Sequence, residues 1–448
     1  MTVSAGRDDV AEEREATTAR LVDETKLDDT DPARQAFFAN SANPRNAWFP
    51  LVPSAQLLAS SASPLSALLW GDPIVLYREP VAGTPIALAD RCPHRAAALS
   101  TGRITTTGLL ECRYHGWAFD TEGVCVRVPS LPGDAKPPCA ARVATYPARE
   151  ANGWVWVWPG DGDAAEEAGE PQVPMAWGRV DEVPPWTGYV DLDIDHSLLV
   201  ENFLDPAHLP FTHSTTISKA SNATALHISP LTFTATSVSG RQITPSRPDL
   251  PSVILAFHPP CAVLLKFRAP ALDALPPPSP PPPSSSSSST PPSVPSAPTT
   301  KFAPFDQTFI AVPTQKGHCR FVSFQRLPFL PHPDAPFWSW VPPLRWALDA
   351  WLKRYNARVL NEDYELLRGV QRNLARGAAA VDGRTSVRAD AIVAVYRRWW
   401  RRVVGAGGAG GAGPPGPGRQ RQRGHGVETD GVWFSGWKNV VDIEDTLP

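Results

Sequence analysis

Cysteine is scarce in this sequence: six residues scattered over 448 are too few to staple a disulfide scaffold. Metal-binding or structural thiols in a reducing compartment are the expected use. An excess of charge of one sign is missing as well. A net charge of −3 offers no general attraction for nucleic acid, so no nucleic-acid partner is expected. No run of about 18 apolar residues occurs, which removes any transmembrane-helix candidate, and the chain reads as soluble or peripheral. The first twenty residues carry Asp8, Asp9, Glu12, Glu13 and Glu15, an acidic load that argues against a secretory signal or an organelle transit peptide. A Gly-rich dinucleotide fingerprint between a strand and a helix is also lacking, so nicotinamide and flavin chemistry belong on another protein.

Apolar residues and proline are abundant. With 42% hydrophobic content the chain can fill sizeable cores, and its length allows two domains. The 51 prolines are concentrated. Ala271 to Thr300 is a Pro/Ser tract that supports neither helix nor ladder and reads as a disordered surface insertion. Gly405 to Gly426 is a second low-complexity tract, of Gly and Pro with interleaved Arg. The expected organisation is a disordered segment over 1–45, an antiparallel β domain over 46–160, an α+β domain over 185–403 interrupted by 271–300, and a low-complexity tail over 404–448.

From Trp48 to Trp158, short apolar or alternating runs such as Ile74–Tyr77, Ile86–Ala89 and Trp154–Trp158 are separated by Gly, Pro and Asp, the pattern of antiparallel strands. Inside this region lie Cys92-Pro93-His94 and Cys112-Arg113-Tyr114-His115-Gly116-Trp117, that is, C-x-H followed by C-x2-H. A 2Fe-2S cluster that binds one iron by two thiolates and the other by two imidazoles is served by one Cys and one His from each of two loops. Gly116 lets the backbone pass close to such a cluster. Tetrahedral zinc also accepts two Cys and two His, but zinc fingers usually keep each ligand type together and lack the His-Gly-Trp continuation. Cys125 and Cys139 fall outside the pattern and are expected to be small buried hydrophobes.

The second half contains Asp195 to His213, DHSLLVENFLDPAHLPFTH, which starts as an apolar-rich helix and carries D-x2-H-x4-H. On a regular helix, positions five apart differ by roughly 140° around the axis, so His208 and His213 need a break to share one ion. Pro206 and Pro210 supply it, because residues before proline avoid helical angles. Two unrelated histidines near a helix end would be the default without the cluster motif upstream. An iron that activates O2 typically takes two His and one carboxylate on one face. Val359 to Leu374 has helical periodicity, with Val359, Leu360, Leu367, Val370 and Leu374 on one face and Asp363 in its middle. Asp363 is therefore the expected third ligand, a salt bridge to a nearby arginine being the plainer alternative. Glu362 and Glu365 are expected to point elsewhere, into solvent. Asp205, three residues before His208, is placed to orient that imidazole. The basic aromatic run Val395 to Arg402 reads as mostly structural, with peripheral membrane contact as a second possibility.

CPHR and CRYHGW resemble the two cluster loops of the Rieske non-haem iron oxygenases, whose cluster ligands match Cys92, His94, Cys112 and His115. DHSLLVENFLDPAHLPFTHSTTISKA, HPPCAVL and VLNEDYELLRGVQ are similar to the chlorophyllide a oxygenase and pheophorbide a oxygenase family, closest to its chlorophyllide branch. Chlorophyllide enzymes usually have Ala where Pro93 stands, whereas a C-terminal C-x2-C of the pheophorbide branch does not occur after Cys319. The resemblance implies an N-terminal antiparallel β Rieske domain and an α+β, helix-grip-like catalytic domain with an antiparallel sheet. It implies a 2Fe-2S cluster, a mononuclear Fe(II) at His208, His213 and Asp363, and Asp205 linking a metal-site His to a cluster His of the neighbouring subunit in a homotrimer. It also implies a tetrapyrrole substrate with O2, electrons from ferredoxin or a separate reductase, and a chloroplast location. The expected reaction is two successive hydroxylations of the C7 methyl of chlorophyllide a. Ring opening of pheophorbide a is the second reading, and a Rieske electron carrier or silent partner subunit is the third.

Overall fold

The computed structural model describes residues 31–39, 43–57, 63–132, 135–174, 186–244, 252–268, 305–326, 342–376 and 387–409. The Pro/Ser tract at 271–300 and the tail from 410 onward lie outside the described residues. In chain order the first half runs α1 (Pro32–Ala39), β1 (Phe49–Pro53), β2 (Leu65–Leu69), β3 (Asp72–Arg78), β4 (Pro85–Ala89) and β5 (Arg103–Ile104). It continues with β6 (Leu110–Glu111), β7 (Ala118–Phe119), β8 (Cys125–Arg127), β9 (Thr145–Tyr146), β10 (Ala148–Ala151), β11 (Trp154–Val157) and α2 (Gly162–Ala168). The strands form three small antiparallel sheets, ordered β1-β11-β10, β2-β3-β4-β9 and β5-β6-β7-β8. Strand β11, WVWV, is buried along its whole length, because it lies between the cluster-bearing sheets and the second half of the protein.

The second half comprises β12 (Trp186–Leu192), α3 (His196–Leu204), α4 (Leu209–Thr212), β13 (His227–Ile228), β14 (Thr232–Phe233), β15 (Val238–Ile243), β16 (Ser252–His258) and β17 (Ala262–Arg268). It ends with β18 (Phe305–Gln315), β19 (His318–Arg326), α5 (Pro342–Ala375) and α6 (Ala391–Ala409). Its antiparallel sheet has the order β12-β19-β18-β17-β16-β15-β13, with β14 paired to β15. Because side chains alternate across a strand, the register puts Phe257, Val263, Phe309 and Phe321 on one face. Helix α3 packs there through Phe203, whose ring lies 4.7 Å from Phe309 and 5.3 Å from Phe321. Helix α6 packs through Tyr396 and Trp399, 5.0 and 5.3 Å from Phe257. The basic aromatic run is thus a core helix: Tyr396 and Trp399 are buried, Arg397 pairs with Glu201 at 3.0 Å, and Arg402 lies 4.4 Å over the Phe38 ring.

The two halves share one core. The β2–β3 turn presents Trp70 and Gly71, whose amides donate to the carbonyls of Pro313 and Thr314 at 2.8 and 2.7 Å. The Trp70 ring meets Phe49, His196 and Trp400.

Four expectations need correction. Residues 1–45 are not uniformly disordered: α1 carries Phe37 and Phe38 into the core, and burying a phenylalanine contributes about 1.5–3 kcal/mol, enough to hold a two-turn helix. The tail does not begin at 404, since α6 continues to Ala409. Cys125 is buried but Cys139 is exposed, because Cys139 sits in a loop outside the strands. Val370 is 40% exposed and does not share the buried face of α5, whereas Leu367 is buried.

Candidate metal centres

The two cluster loops are built alike. In each, the cysteine amide donates to a carbonyl beyond the loop (Ala97 at 2.8 Å, Trp117 at 2.8 Å), while the cysteine carbonyl accepts from Ala96 (2.9 Å) or Gly116 (3.0 Å). Both closing residues are left-handed, Ala96 at φ 57° and Gly116 at φ 70°. A Cβ on Gly116 would also approach Pro129 to 3.0 Å, so glycine there serves both turn and packing. The loops leave Cys92 and Cys112 only 2% exposed and His94 and His115 exposed. The two imidazoles lie side by side at 4.5 Å, His94 stacks on Trp117 at 4.6 Å, and Tyr114 covers His115 at 3.9 Å. Burial, and next to it the Cys112 thiol, push the Cys92 thiol up to about 11, a proton that a bound metal replaces.

The arrangement of thiols inside and imidazoles outside fits a 2Fe-2S cluster with two differently ligated irons. A single tetrahedral ion needs its ligand atoms at one point. Among the described residues that convergence occurs elsewhere, at His208, His213 and Asp363, whose ligand atoms all lie within 4.8 Å of one another.

Helix α3 delivers the first part of this second site. Asp195 caps it, accepting from the Ser197 amide at 3.0 Å and hydroxyl at 2.6 Å. The helix ends at Asp205, which precedes Pro206 and is extended at φ −108°, ψ 98°. The break then differs from expectation. Leu209, before Pro210, is helical at φ −52°, ψ −44°, and Pro210 sits in the first turn of α4, where its missing N–H leaves no helix bond unmade. One proline turns the chain and the other starts the next helical turn.

Asp363 comes from α5, 5% exposed, and its Oδ1 stands 3.1 Å from His213 Nε2 and 3.5 Å from His208 Nε2. Among the described residues its ion-pair partners are these two histidines, not an arginine. Asn202 adds a contact that sequence reasoning missed: its Nδ2 donates to Asp363 Oδ1 at 3.2 Å, leaving its own Oδ1 buried without a partner. Its position one helical turn before Pro206 was the available signal.

Glu362 departs from its expected place in solvent. It accepts from Thr215 Oγ1 at 2.7 Å and Thr216 Oγ1 at 2.6 Å, and its Oε2 lies 2.9 Å from His213 Nδ1. Burial works against the charge of Glu362, but the bonds from Thr216, Thr215 and His213 hold its carboxyl below the ordinary range. Burial likewise disfavours protonation of His213, and the bonds to Asp363 and Glu362 outweigh it and raise its pKa.

Among the described residues the Asp205 carboxylate makes no hydrogen bond to His208, although its charge acts on that imidazole. It accepts from the Ala207 amide at 2.8 Å, as the cap of the Pro206–His208 turn, and His208 Nδ1 is buried with no side-chain hydrogen-bond partner among the described residues. Burial raises the Asp205 carboxyl above its ordinary value and lowers the His208 imidazole below its own. Two imidazoles that turn Nε2 toward one buried carboxylate fit a facial iron site.

Two protein families match the chain: the Rieske (2Fe-2S) domain over residues 47–147, and the vanillate O-demethylase oxygenase C-terminal domain over residues 192–406. Chlorophyllide a oxygenase of Chlamydomonas reinhardtii is 30% identical over 356 residues, covering 79% of this chain and 47% of that protein. Pheophorbide a oxygenase of Oryza sativa subsp. japonica is 31% identical over 229 residues, covering 50% of this chain and 42% of that protein. The chain thus spans less than half the length of these two curated relatives. Among solved structures, dicamba monooxygenase bound to dicamba superposes with a TM-score of 0.59 at 23% identity, covering 82% of this chain and 98% of that one, a likeness of fold.

Proposed function

The chain belongs to the Rieske non-haem iron oxygenases, and we propose that it oxidises a chlorophyll-related tetrapyrrole, converting the C7 methyl of chlorophyllide a to a formyl group. The observation that carries the oxygenase reading is the convergence of His208, His213 and Asp363 to within 4.8 Å at the end of α3. A Rieske electron carrier has no use for that second site. Cys92, His94, Cys112 and His115 are assigned to the 2Fe-2S cluster and the convergent trio to the mononuclear Fe(II). When bound, the cluster supplies single electrons and the mononuclear iron activates O2. The polypeptide's part is to hold His213 by its outer nitrogen through Glu362, keep the thiols dry, and close one side of the carboxylate with Asn202.

Each hydroxylation replaces one C–H of the methyl by C–OH, consuming one O2, two electrons and two protons and releasing one water. The second gives a gem-diol that loses water to the formyl. Electrons come from a ferredoxin or a separate reductase, because the sequence shows no dinucleotide fingerprint of its own. A homotrimer would place His94 or His115 of one subunit near Asp205 of the next, as the family resemblance implies. Among the described residues His208 Nδ1 has no side-chain partner, which leaves a position for such a link. Asp205→Ala with both centres loaded is expected to abolish turnover; unchanged turnover would remove Asp205 from the electron route. A chloroplast location follows the names of the relatives.

Ring opening of pheophorbide a stays as the second reading, since its relative matches at nearly the same identity. One assay separates the two. The purified protein is loaded anaerobically with chlorophyllide a or pheophorbide a, given reduced ferredoxin and O2, and the pigment analysed by mass and absorption. A product gaining one oxygen and losing two hydrogens supports the proposal. An opened macrocycle, with its long-wavelength bands gone, supports the alternative, and unaltered pigment from fully loaded protein overturns both.

A further inference from the structure

Helix α5 places two consecutive carboxylates on the two nitrogens of one imidazole. Glu362 meets His213 Nδ1 at 2.9 Å and Asp363 meets His213 Nε2 at 3.1 Å. Neighbouring helix residues point about 100° apart, so they cannot share a face; they bracket a ring that enters the crook between them. His213 is that ring, and its side chain is 2% exposed. An ionised carboxylate accepts and does not donate, so the Glu362 contact holds a hydrogen on His213 Nδ1, while Nε2, which faces Asp363 at 3.1 Å, is the nitrogen that a divalent ion at the trio would take in place of its hydrogen.

The Glu362 carboxylate is itself held. Thr215 and Thr216 donate to its two oxygens, Arg358 Nη2 donates to Thr215 Oγ1 at 3.2 Å, and Tyr355 OH donates to the Thr216 carbonyl at 3.4 Å. The segment after His213 is therefore fastened to α5 at Tyr355, Arg358 and Glu362 in succession. Among the described residues no side chain braces His208 Nδ1 in this way.

We propose that Glu362 is a positioning residue for the mononuclear site: clamped by Thr215 and Thr216, it sets the tautomer and ring orientation of His213 and thereby the affinity of the site for a divalent metal. The inference rests on the assignment of His208, His213 and Asp363 as that site. Carboxylates behind metal-binding histidines raise ligand basicity, and their loss typically lowers metal affinity about 10–100-fold.

The test is a Co(II) titration of full-length protein depleted of mononuclear metal, with cluster absorbance as the measure of intact folding and the Co(II) ligand-field bands as a second readout. Glu362→Ala should weaken Co(II) binding about 10–100-fold and shift the bands at unchanged cluster content. Glu362→Gln, which keeps an acceptor for Nδ1–H, should recover most of the affinity. Thr216→Val leaves the carboxylate and removes one clamp, and should lose affinity by a smaller factor; it decides the matter if Glu362→Ala fails to accumulate. Wild-type affinity and spectrum in Glu362→Ala, or in Thr216→Val where that variant decides, overturn the inference. Failure of the wild-type protein to take up Co(II) at all overturns the site assignment instead.

Discussion

At the residue scale the two centres differ in how much of their surroundings the chain announces. Cys92, His94, Cys112 and His115 are proposed from their spacing within two loops, which matches the ligand mixture, and the fold brings these loops together as two alike turns. The burial of Asp363 beside the two histidines is legible by cost: a carboxylate in the middle of an apolar helix face needs a partner. The place of Glu362 was not, because helical periodicity puts it off that face and cannot show that a loop 149 residues earlier comes to meet it. Replacing Asp363 by Ala should lower the iron content from about three to about two per chain, with the cluster absorbance kept. Metal analysis beside the visible spectrum checks this, and an unchanged three irons would remove Asp363 from the ligand set.

At the scale of elements, helix α3 was readable from its apolar start and its proline, and its N-terminal anchoring was not. Asp195 caps the helix and also accepts from the Gly317 amide at 3.3 Å, while Gln371 of α5 accepts from the Asp195 amide at 2.6 Å. These contacts join the β18–β19 turn and α5 to the start of the helix that ends at the metal site. Burial works against ionisation of Asp195, but His196, Ser197 and Gly317 hold its carboxyl below its ordinary value of 3.8. Its folded pKa is therefore depressed, so its stabilisation is complete above that value and is lost as pH falls through the lower folded one. Asp195→Ala should cost about 1–2 kcal/mol at neutral pH, and the gap between variant and wild type should narrow below about pH 4. Denaturant midpoints measured across pH test this; a gap that widens on acidification would contradict it.

At the scale of the molecule, the β-then-α+β order was legible, since strand alternation and helical periodicity are local. The docking of the halves was not, because it depends on a hairpin turn whose partner strand lies more than 200 residues away. Trp70, at φ 53°, is held in the left-handed region at that turn and wedged among Phe49, His196 and Trp400. Trp70→Ala should destabilise the protein by about 3 kcal/mol, lowering the melting temperature measured at either chromophore, cluster or tryptophan. A drop confined to the cluster signal would show that the halves melt independently.

The shared core also bears on how this chain can be rearranged. A cut after residue 160 would expose the inner faces of Trp154 and Trp156, which pack against Phe324 of the far sheet. The cluster-bearing half is therefore not an interchangeable cartridge. Grafting it onto an oxygenase, or expressing it as a soluble electron carrier, would require repainting that buried tryptophan strand with polar side chains first.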